Sequence, residues 1–395
     1  MTDAPEAPPL RVLFVFGWLV VGGEETEVRH LARLLPRDRY RLEVVACFHR
    51  EGMPLQTQRQ LEALGIPVDT TPYVLSFEDT VEYLAGRVGE YDVVVACQNV
   101  PDVGPALRLA SLQGTWTPPL IEHGGLVAEA ASGSRELAAR YVGVCATIRD
   151  AAAGRMPGRE DHALEIPSMV DLEEFDPADR ADVRAELGLS PEAPVFGWVG
   201  RLDRKKRVED FIHAAAMVCQ RVPGARFLVI GGPDAFMPEY AAELRALAAG
   251  LGLEHALSFL GDRADVPRLL SALDAMVWLA RDEGMPHVIA EAGAARLPVV
   301  ATRDNGTLEQ IEDGVSGRFV PHADVPAIAA AMAELAADEG LRRRLGEGLR
   351  ATVERRFSTS VVVPQWEALF REVAAERPRP GREGSSTRPL SASRS

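Results

Sequence analysis

The sequence predicts an α/β protein made of two doubly wound parallel-sheet domains. Three observations lead there. Strand-like and helix-like stretches alternate through both halves of the chain. The strands are continuous apolar runs bounded by glycine, as in sheets covered on both faces. A length of 395 residues leaves room for two substantial cores.

In the first half, 12–16 reads as a strand, Gly22-Gly23 as a turn, and 24–35 as a helix. Further strands are expected at 42–47, 93–97, 120–123 and 142–145. The second half opens with a strand at 195–199 and a helix over 208–222. Strands at 227–230, 257–260, 275–279 and 299–302 follow. The polar stretch 170–179 reads as a linker. It divides the chain into an N-terminal Rossmann-like domain over 1–170, a link over 171–182 and a C-terminal Rossmann-like domain over 183–358. A helix at 360–376 has no strand after it and is expected to complete the first domain. The segment 377–395 is rich in Pro, Arg, Ser and Gly and buries too little apolar surface to order itself.

Composition narrows the function. With 47% hydrophobic and 26% charged residues the chain is an ordinary globular protein, and a net charge of −15 excludes nucleic acid as a bulk partner. Its four cysteines include no C-x-x-C pair, which argues against structural zinc or a disulfide framework and for a reducing compartment. The start, Met1 to Glu6, is acidic and proline-rich, unlike a signal peptide. No apolar run approaches the roughly 20 residues that span a bilayer. A cytoplasmic protein is expected, with membrane contact at most peripheral. The arginines at 29, 33, 37 and 39 read as a solvated face.

The most informative segment runs from Arg281 to Glu291, Arg-Asp-Glu-Gly-Met-Pro-His-Val-Ile-Ala-Glu. Pro286 suits the first position of a helix, where no N–H is needed. The N–H groups of His287 and Val288 then face outward at a positive helix end that favours phosphate. Glu291 lies about 7 Å further along the axis on the same face. A diphosphate at the helix end would place an attached ribose near Glu291, with Glu283 on the sugar side. Two glutamates at this spacing are weak by themselves. The apolar helix and the buried strand around Glu291 strengthen the reading, because a charge there needs a polar partner.

Other candidates accompany this segment. Lysine occurs only at Lys205 and Lys206, where a compact ammonium can follow a phosphate as its charge changes. Arg201 follows Gly200 at the carboxyl end of an expected strand, the edge where such folds bind ligands. His123 is followed by Gly124-Gly125, which lets other groups approach the backbone. No D-x-D occurs, so the usual carboxylate clamp for a nucleotide-bound divalent ion is missing.

Taken in order, these motifs resemble the retaining GT-B glycosyltransferases of the group 1 family (glycosyltransferase family 4), from about Arg11 to Phe357. Gly22-Gly23-Glu24 is similar to the family's glycine-rich loop, and His123 in Ile121-Glu122-His123-Gly124-Gly125 to its active-site histidine. Ile166-Pro167-Ser168-Met169-Val170-Asp171 and Phe175 resemble the linker signature. Gly200 to Lys206 resembles the donor-phosphate motif, and Glu283 to Glu291 the E-x7-E motif. Asn305-Gly306-Thr307-Leu308-Glu309 and Asp313-Gly314-Val315-Ser316-Gly317 complete the pattern.

The resemblance implies a GT-B fold, with two Rossmann-like domains facing a central cleft. The N-terminal domain would take the acceptor and the C-terminal domain the nucleotide-sugar donor. Arg201 and Lys206 would hold the diphosphate, Glu291 the ribose, Glu283 a hydroxyl of the sugar, and His123 would sit beside the reacting sugar. Gly22 and Gly23 would let backbone approach the phosphate, and Gly200, Lys205, Gly284, Met285, Pro286, His287 and Val288 would complete the donor site. The implied reaction is retaining transfer to an acceptor hydroxyl, without a metal or other cofactor. In the absence of an obvious second carboxylate, front-face departure and attack is favoured.

Several residues depart from the family pattern. Ser168-Met169 stands where Asn-Gly is usual, and Arg207 and Asn305 each replace a glycine. Asn305 is expected to tolerate a left-handed φ, and Arg207 leaves open which of Lys205 and Lys206 reaches the phosphate. Two other functions share the fold: a nucleotide-sugar 2-epimerase-like isomerase, and a catalytically silent GT-B binding or scaffold protein. The donor base and sugar are not legible. Nor is the acceptor, whether small metabolite, glycan or lipid-linked sugar.

Overall fold

The computed structural model describes residues 8–175 and 180–380. The acidic start, the end of the expected linker at 176–179 and the tail from 381 lie outside the described residues. Two sheets organise the chain. The first contains β1 (Leu10–Trp18), β2 (Tyr40–Phe48), β3 (Val68–Asp69), β4 (Val93–Cys97), β5 (Leu120–Gly124), β6 (Ala138–Gly143) and β7 (Ala163–Glu165), in the order β3-β2-β1-β4-β5-β6-β7. The second contains β8 (Val195–Val199), β9 (Arg226–Ile230), β10 (Leu257–Gly261), β11 (Ala275–Trp278), β12 (Val299–Thr302) and β13 (Gly317–Val320), in the order β10-β9-β8-β11-β12-β13. The central pairings, β1 with β2 and β4, and β8 with β9 and β11, are parallel.

Two parallel α/β sheets are what the alternation of strands and helices predicted, and they fit the GT-B architecture that the resemblance implied. In each sheet the strand order reverses once, between β1 and β4 and between β8 and β11. At such a switch point the chain leaves neighbouring strands in opposite directions, which opens a crevice at their carboxyl ends.

The edges depart from expectation. The strand expected at 142–145 instead occupies 138–143, and Cys145 is the N-cap of the next helix, Ala146–Ala153. Apolar patterning missed it because this strand carries Arg140, which Glu372 (2.5 Å) and Glu376 hold from the C-terminal helix. Strands β3, β7 and β13 were not foreseen. β3 and β7 have two and three residues, too few for a periodic signal, and β13 opens on Gly317-Arg318; with β10 they form the sheet edges.

The chain divides into two compact units. One comprises residues up to His123, Ser134–Val142 and everything from Trp366. The other comprises Gly124–Gly133 and Gly143–Gln365. The break after Val142 falls inside the segment expected to form the first domain. The C-terminal helix, Thr359–Glu376, delivers Trp366 and Phe370 to the first unit. Phe370 meets Phe14 edge to face at 6.2 Å and Trp366 at 5.5 Å. Arg377 and Arg379, expected in a disordered tail, donate to Thr117 Oγ1 (2.7 Å) and the Glu90 carbonyl (2.6 Å). Among the described residues no helix is long and apolar enough to cross a membrane.

In the second unit, the helix His287–Ala294 packs on the long helix Glu339–Arg356 through Gly293. A Cβ at Gly293 would stand 2.6 Å from Val353 Cγ2 and 2.9 Å from Leu349 Cγ, so the axes approach closely only because none is present. Gly293→Val should therefore overpack this contact by roughly 1–3 kcal/mol. A lowered denaturant midpoint with an unchanged m-value would be the sign, and an unshifted midpoint would contradict it.

Candidate functional site

In the second unit the candidate residues gather at the switch point between β8 and β11. After β8 the chain passes Gly200 and Arg201, then makes a short 3-10 turn over Arg204–Lys206. Asp203 caps this turn by accepting the Lys205 N–H at 2.8 Å. The Lys205 carbonyl accepts the N–H of Arg281 at 2.9 Å, which ties the turn to the loop after β11. Lys205 is exposed, whereas Lys206 turns inward. Its Nζ lies 3.8 Å from Glu283 Oε2 and 4.8 Å from the centroid of the Trp278 ring. Trp278 in turn stacks on Trp198 at 6.2 Å. The ammonium is thus held between an aromatic face and a carboxylate.

Arg207, expected to replace a glycine of the pattern the sequence resembles, has φ +54°. Its guanidinium is gripped by Asp210 at 2.9 and 3.0 Å and by Glu209 at 2.8 Å. These ion pairs offset the left-handed conformation that glycine would accept freely. Asn305 behaves differently from expectation. It is absent from the left-handed residues and uses its side chain instead, donating from Nδ2 to the Glu283 carbonyl at 2.8 Å. Asp304 accepts the Glu283 N–H at 3.0 Å. The loop bearing Glu283 is therefore pinned on both sides of its Cα. Gly306 completes the clamp, since a Cβ there would come 2.7 Å from Met285 Cα.

The helix after this loop begins at His287. Pro286, expected as its first residue, is the N-cap because its ψ of 119° is still extended. The Pro286 carbonyl accepts from the buried Gln310 amide at 3.0 Å. The first-turn N–H groups of His287 and Val288 point out of the positive end of the helix. Glu291 lies one turn further in and is half-buried.

Arg201 is less available than its sequence position implies. Its Nη1 donates to Asp234 Oδ2 at 2.7 Å, and Asp234 is 3% exposed. Between them runs a second glycine turn, Gly231-Gly232. Gly231 has φ +143°, and a Cβ there would strike the Gly200 carbonyl. The Gly232 N–H donates to Asp262 Oδ1 at 2.8 Å. Sequence reasoning missed Gly231, Asp234, Trp278 and Gln310. The pair Gly231-Gly232 after an apolar strand was a readable signal; the other three have none, because their partners are distant in sequence.

In the first unit a second group forms where β1, β4 and β5 end. Gly22 caps the helix Gly23–Leu34, and a Cβ at Gly22 would lie 2.5 Å from Glu25 Oε2. Glu25 Oε1 accepts from Val20 N at 3.2 Å and from Gln98 Nε2 at 2.8 Å, while Glu24 Oε2 accepts the Gln98 N–H at 2.9 Å. Gln98 and Asn99 are consecutive residues with left-handed φ, 58° and 50°, directly after β4. The two glutamates hold this strained corner in place.

His123, at the end of β5, is 2% exposed. Its ring stands edge-on to Trp366, with centroids 5.3 Å apart. Nδ1 lies 3.9 Å from Glu24 Oε2, and Nε2 lies 3.8 Å from Glu27 Oε2. Glu27 is buried, and its Oε1 accepts the Trp366 indole N–H at 2.7 Å. Burial pushes its carboxyl up to about 8, an effect that the indole bond only partly opposes. Glu24, Cys97 and His123 offer ligand atoms within 4.8 Å of one another, the spacing of a metal site. Glu24 Oε2 also accepts the Gln98 N–H, and burial first, then Glu24, Glu25 and Glu27, hold the Cys97 thiol well above its usual range.

Residues 179–352 match the family model for glycosyl transferases group 1. Among curated proteins, the chain is 34% identical over 188 residues to a D-inositol 3-phosphate glycosyltransferase of Actinosynnema mirum, covering 46% of this chain and 45% of that one. It is 29% identical over 208 residues to the N-acetyl-alpha-D-glucosaminyl L-malate synthase of Bacillus anthracis, covering 53% of each. The chain thus spans about half the length of the curated relatives it matches. Among solved structures, Anabaena Alr3699/HepE in complex with UDP-glucose aligns over 92% of this chain and 100% of that one, with TM-score 0.79 and 22% identity. A glycosyltransferase from Rickettsia africae aligns over 92% and 98%, with TM-score 0.76 and 17% identity.

The buried Glu27 carboxyl has a measurable consequence. Its proton affinity is higher in the folded than in the unfolded protein, so it contributes most stability below about pH 4.5 and loses that contribution as pH rises toward about 8. Glu27→Gln has nothing to ionise. Its melting temperature should gain on that of the unmodified protein between pH 5 and pH 8, and parallel curves would contradict this.

Proposed function

We propose that this chain, whose residues 179–352 carry the group 1 glycosyltransferase module, moves a sugar from a nucleoside-diphosphate sugar to an acceptor hydroxyl with retention of configuration. The observation that carries the reading is the placement of Lys206. It is the one inward-facing lysine, set at a switch point between the Trp278 ring and Glu283, in the same unit as the helix bearing Glu291. A parallel sheet supplies its crevice there, and the chemistry needs a cation there.

When the bond from the sugar C1 to the diphosphate oxygen breaks, the departing diphosphate gains negative charge. Lys206, the helix end at His287 and Val288, and the Asp234-held guanidinium of Arg201 meet that charge. Groups that bind the leaving group better after cleavage than before lower the barrier. Glu291 takes the ribose hydroxyls and Glu283 a hydroxyl of the sugar. The acceptor oxygen forms its bond to C1 on the face that the diphosphate leaves, and its proton passes to a phosphate oxygen. Retention follows without a covalent enzyme intermediate. His123, Gly22 and Gly23 belong to the first unit and enter this reading only through their resemblance to the family's active-site histidine and glycine-rich loop.

No divalent ion is part of this scheme, because two cationic side chains and a helix end supply the positive charge. The acceptor is left as a hydroxyl compound. The named relatives act on quite different acceptors, inositol phosphate and malate by their names, and they align with only about half of their length.

A panel of UDP-, GDP-, ADP- and dTDP-sugars with EDTA present tests the reading, with UDP-sugars first because Alr3699/HepE was crystallised with UDP-glucose. Slow, donor-selective release of nucleoside diphosphate is expected, undiminished by EDTA. Lys206→Ala should lower turnover by roughly 10²–10³, by analogy with the loss of one preorganised charge-stabilising donor. Lys205→Ala, whose side chain is exposed, should change it little. Loss of activity with EDTA would overturn metal independence, and equal losses for the two lysines would overturn the assignment of Lys206.

A further inference from the structure

Glu27 is a buried acid that the proposed chemistry does not use. It projects from the helix Gly23–Leu34, is 1% exposed, and has its two oxygens in different surroundings. Oε1 accepts the Trp366 indole N–H at 2.7 Å. Oε2 accepts no hydrogen bond among the described residues and faces His123 Nε2 at 3.8 Å. Glu24 lies one turn before it on the same helix, Cys97 from β4 feels its charge, and His123 faces it from β5. Burial and the indole bond are the causes named for its proton affinity, with no lysine or arginine among them.

A carboxylate in such a place would be an uncompensated buried anion. A neutral carboxyl fits it well. The oxygen that receives the indole N–H is the carbonyl oxygen, so the proton sits on Oε2, the atom aimed at the imidazole. An O–H donor there makes Nε2 of His123 the acceptor, and the ring then keeps its own proton on Nδ1, toward Glu24. The 3.8 Å separation is about 0.6 Å beyond ordinary hydrogen-bond length, so the donation requires a shift of that size by the imidazole or the carboxyl.

We infer that Glu27 is a positioning residue: it donates its carboxyl proton to Nε2 of His123 and so fixes that ring as the neutral Nδ1–H tautomer. Trp366, 339 residues away in sequence, selects which oxygen carries the proton. If Glu27 ionises, Oε2 becomes an acceptor, the ring proton moves to Nε2, and Nδ1 ceases to be a donor. The kinetic consequence rests on the glycosyltransferase reading of His123; the tautomer does not.

The test uses the full chain labelled with 15N-histidine, unmodified and as Glu27→Gln and Glu27→Leu. Imidazole 15N shifts are read from pH 6 to pH 9, and circular dichroism confirms folding. In the unmodified protein near pH 7, a neutral His123 protonated at Nδ1 is expected. Glu27→Gln should keep that tautomer to pH 9, because its amide donates to Nε2 while its carbonyl still accepts from Trp366. Glu27→Leu should lose it. An imidazolium, an Nε2–H ring at pH 7, or identical shifts with leucine would overturn the inference; if the leucine variant does not fold, the glutamine variant and the unmodified protein still decide. In turnover, Glu27→Leu should lower kcat on the order of tenfold or more with donor KM unchanged, and Glu27→Gln should rescue it and remove the fall above about pH 8. Absence of any turnover in the unmodified protein would sink the proposed function while leaving the tautomer result intact.

Discussion

Parallel pairing at the centre of both sheets is the constraint on which the rest depends. A parallel strand cannot turn directly into its neighbour, so each is followed by a crossover and a loop at its carboxyl end. Where the order reverses, those loops diverge. Gly200, Arg201 and Lys206 follow β8, and Arg281 to Glu283 follow β11. In the other sheet, Gly22 and Gly23 follow β1, and Gln98 follows β4. Most of these residues sit in short loops rooted in a buried strand.

Carboxylates do much of the fastening. Asp203, Asp262 and Asp304 each accept a backbone N–H in the second unit, and Glu24 and Glu25 do so in the first. An ionised acceptor makes a stronger bond than a neutral one and needs no second backbone strand. The acidic composition is therefore partly structural. Glu27 differs, since it accepts an indole N–H rather than a backbone one, faces an imidazole at 3.8 Å, and keeps its proton through burial.

Much of this was readable in advance. The central strands β4, β8 and β12 fall where their apolar runs place them, and the spacing from Glu283 to Glu291 describes a loop followed by a helix. The edge strand β10 was readable, but β3 and β7 were not, because two or three residues carry no period, and β13 was not, because it opens on Gly317-Arg318. β6 was misplaced because Arg140 looks like a surface residue until Glu372 and Glu376 are brought to it. Asn305 invited a backbone explanation and turned out to act through its amide. Arg207 occupies a glycine conformation that only its partners Glu209 and Asp210 make tolerable.

By itself the sequence determined the fold class, the alternation that builds two parallel sheets, and the residue types at the carboxyl ends of their strands. Those follow from local periodicity and from glycine, proline and charge at short range. Tertiary structure alone decided which lysine turns inward, that Arg201 is tethered by Asp234, and that Glu27 faces His123 beneath Trp366. The reason is that charge state and orientation depend on burial and on partners far away in sequence. No window along the chain contains Glu27 and Trp366 together.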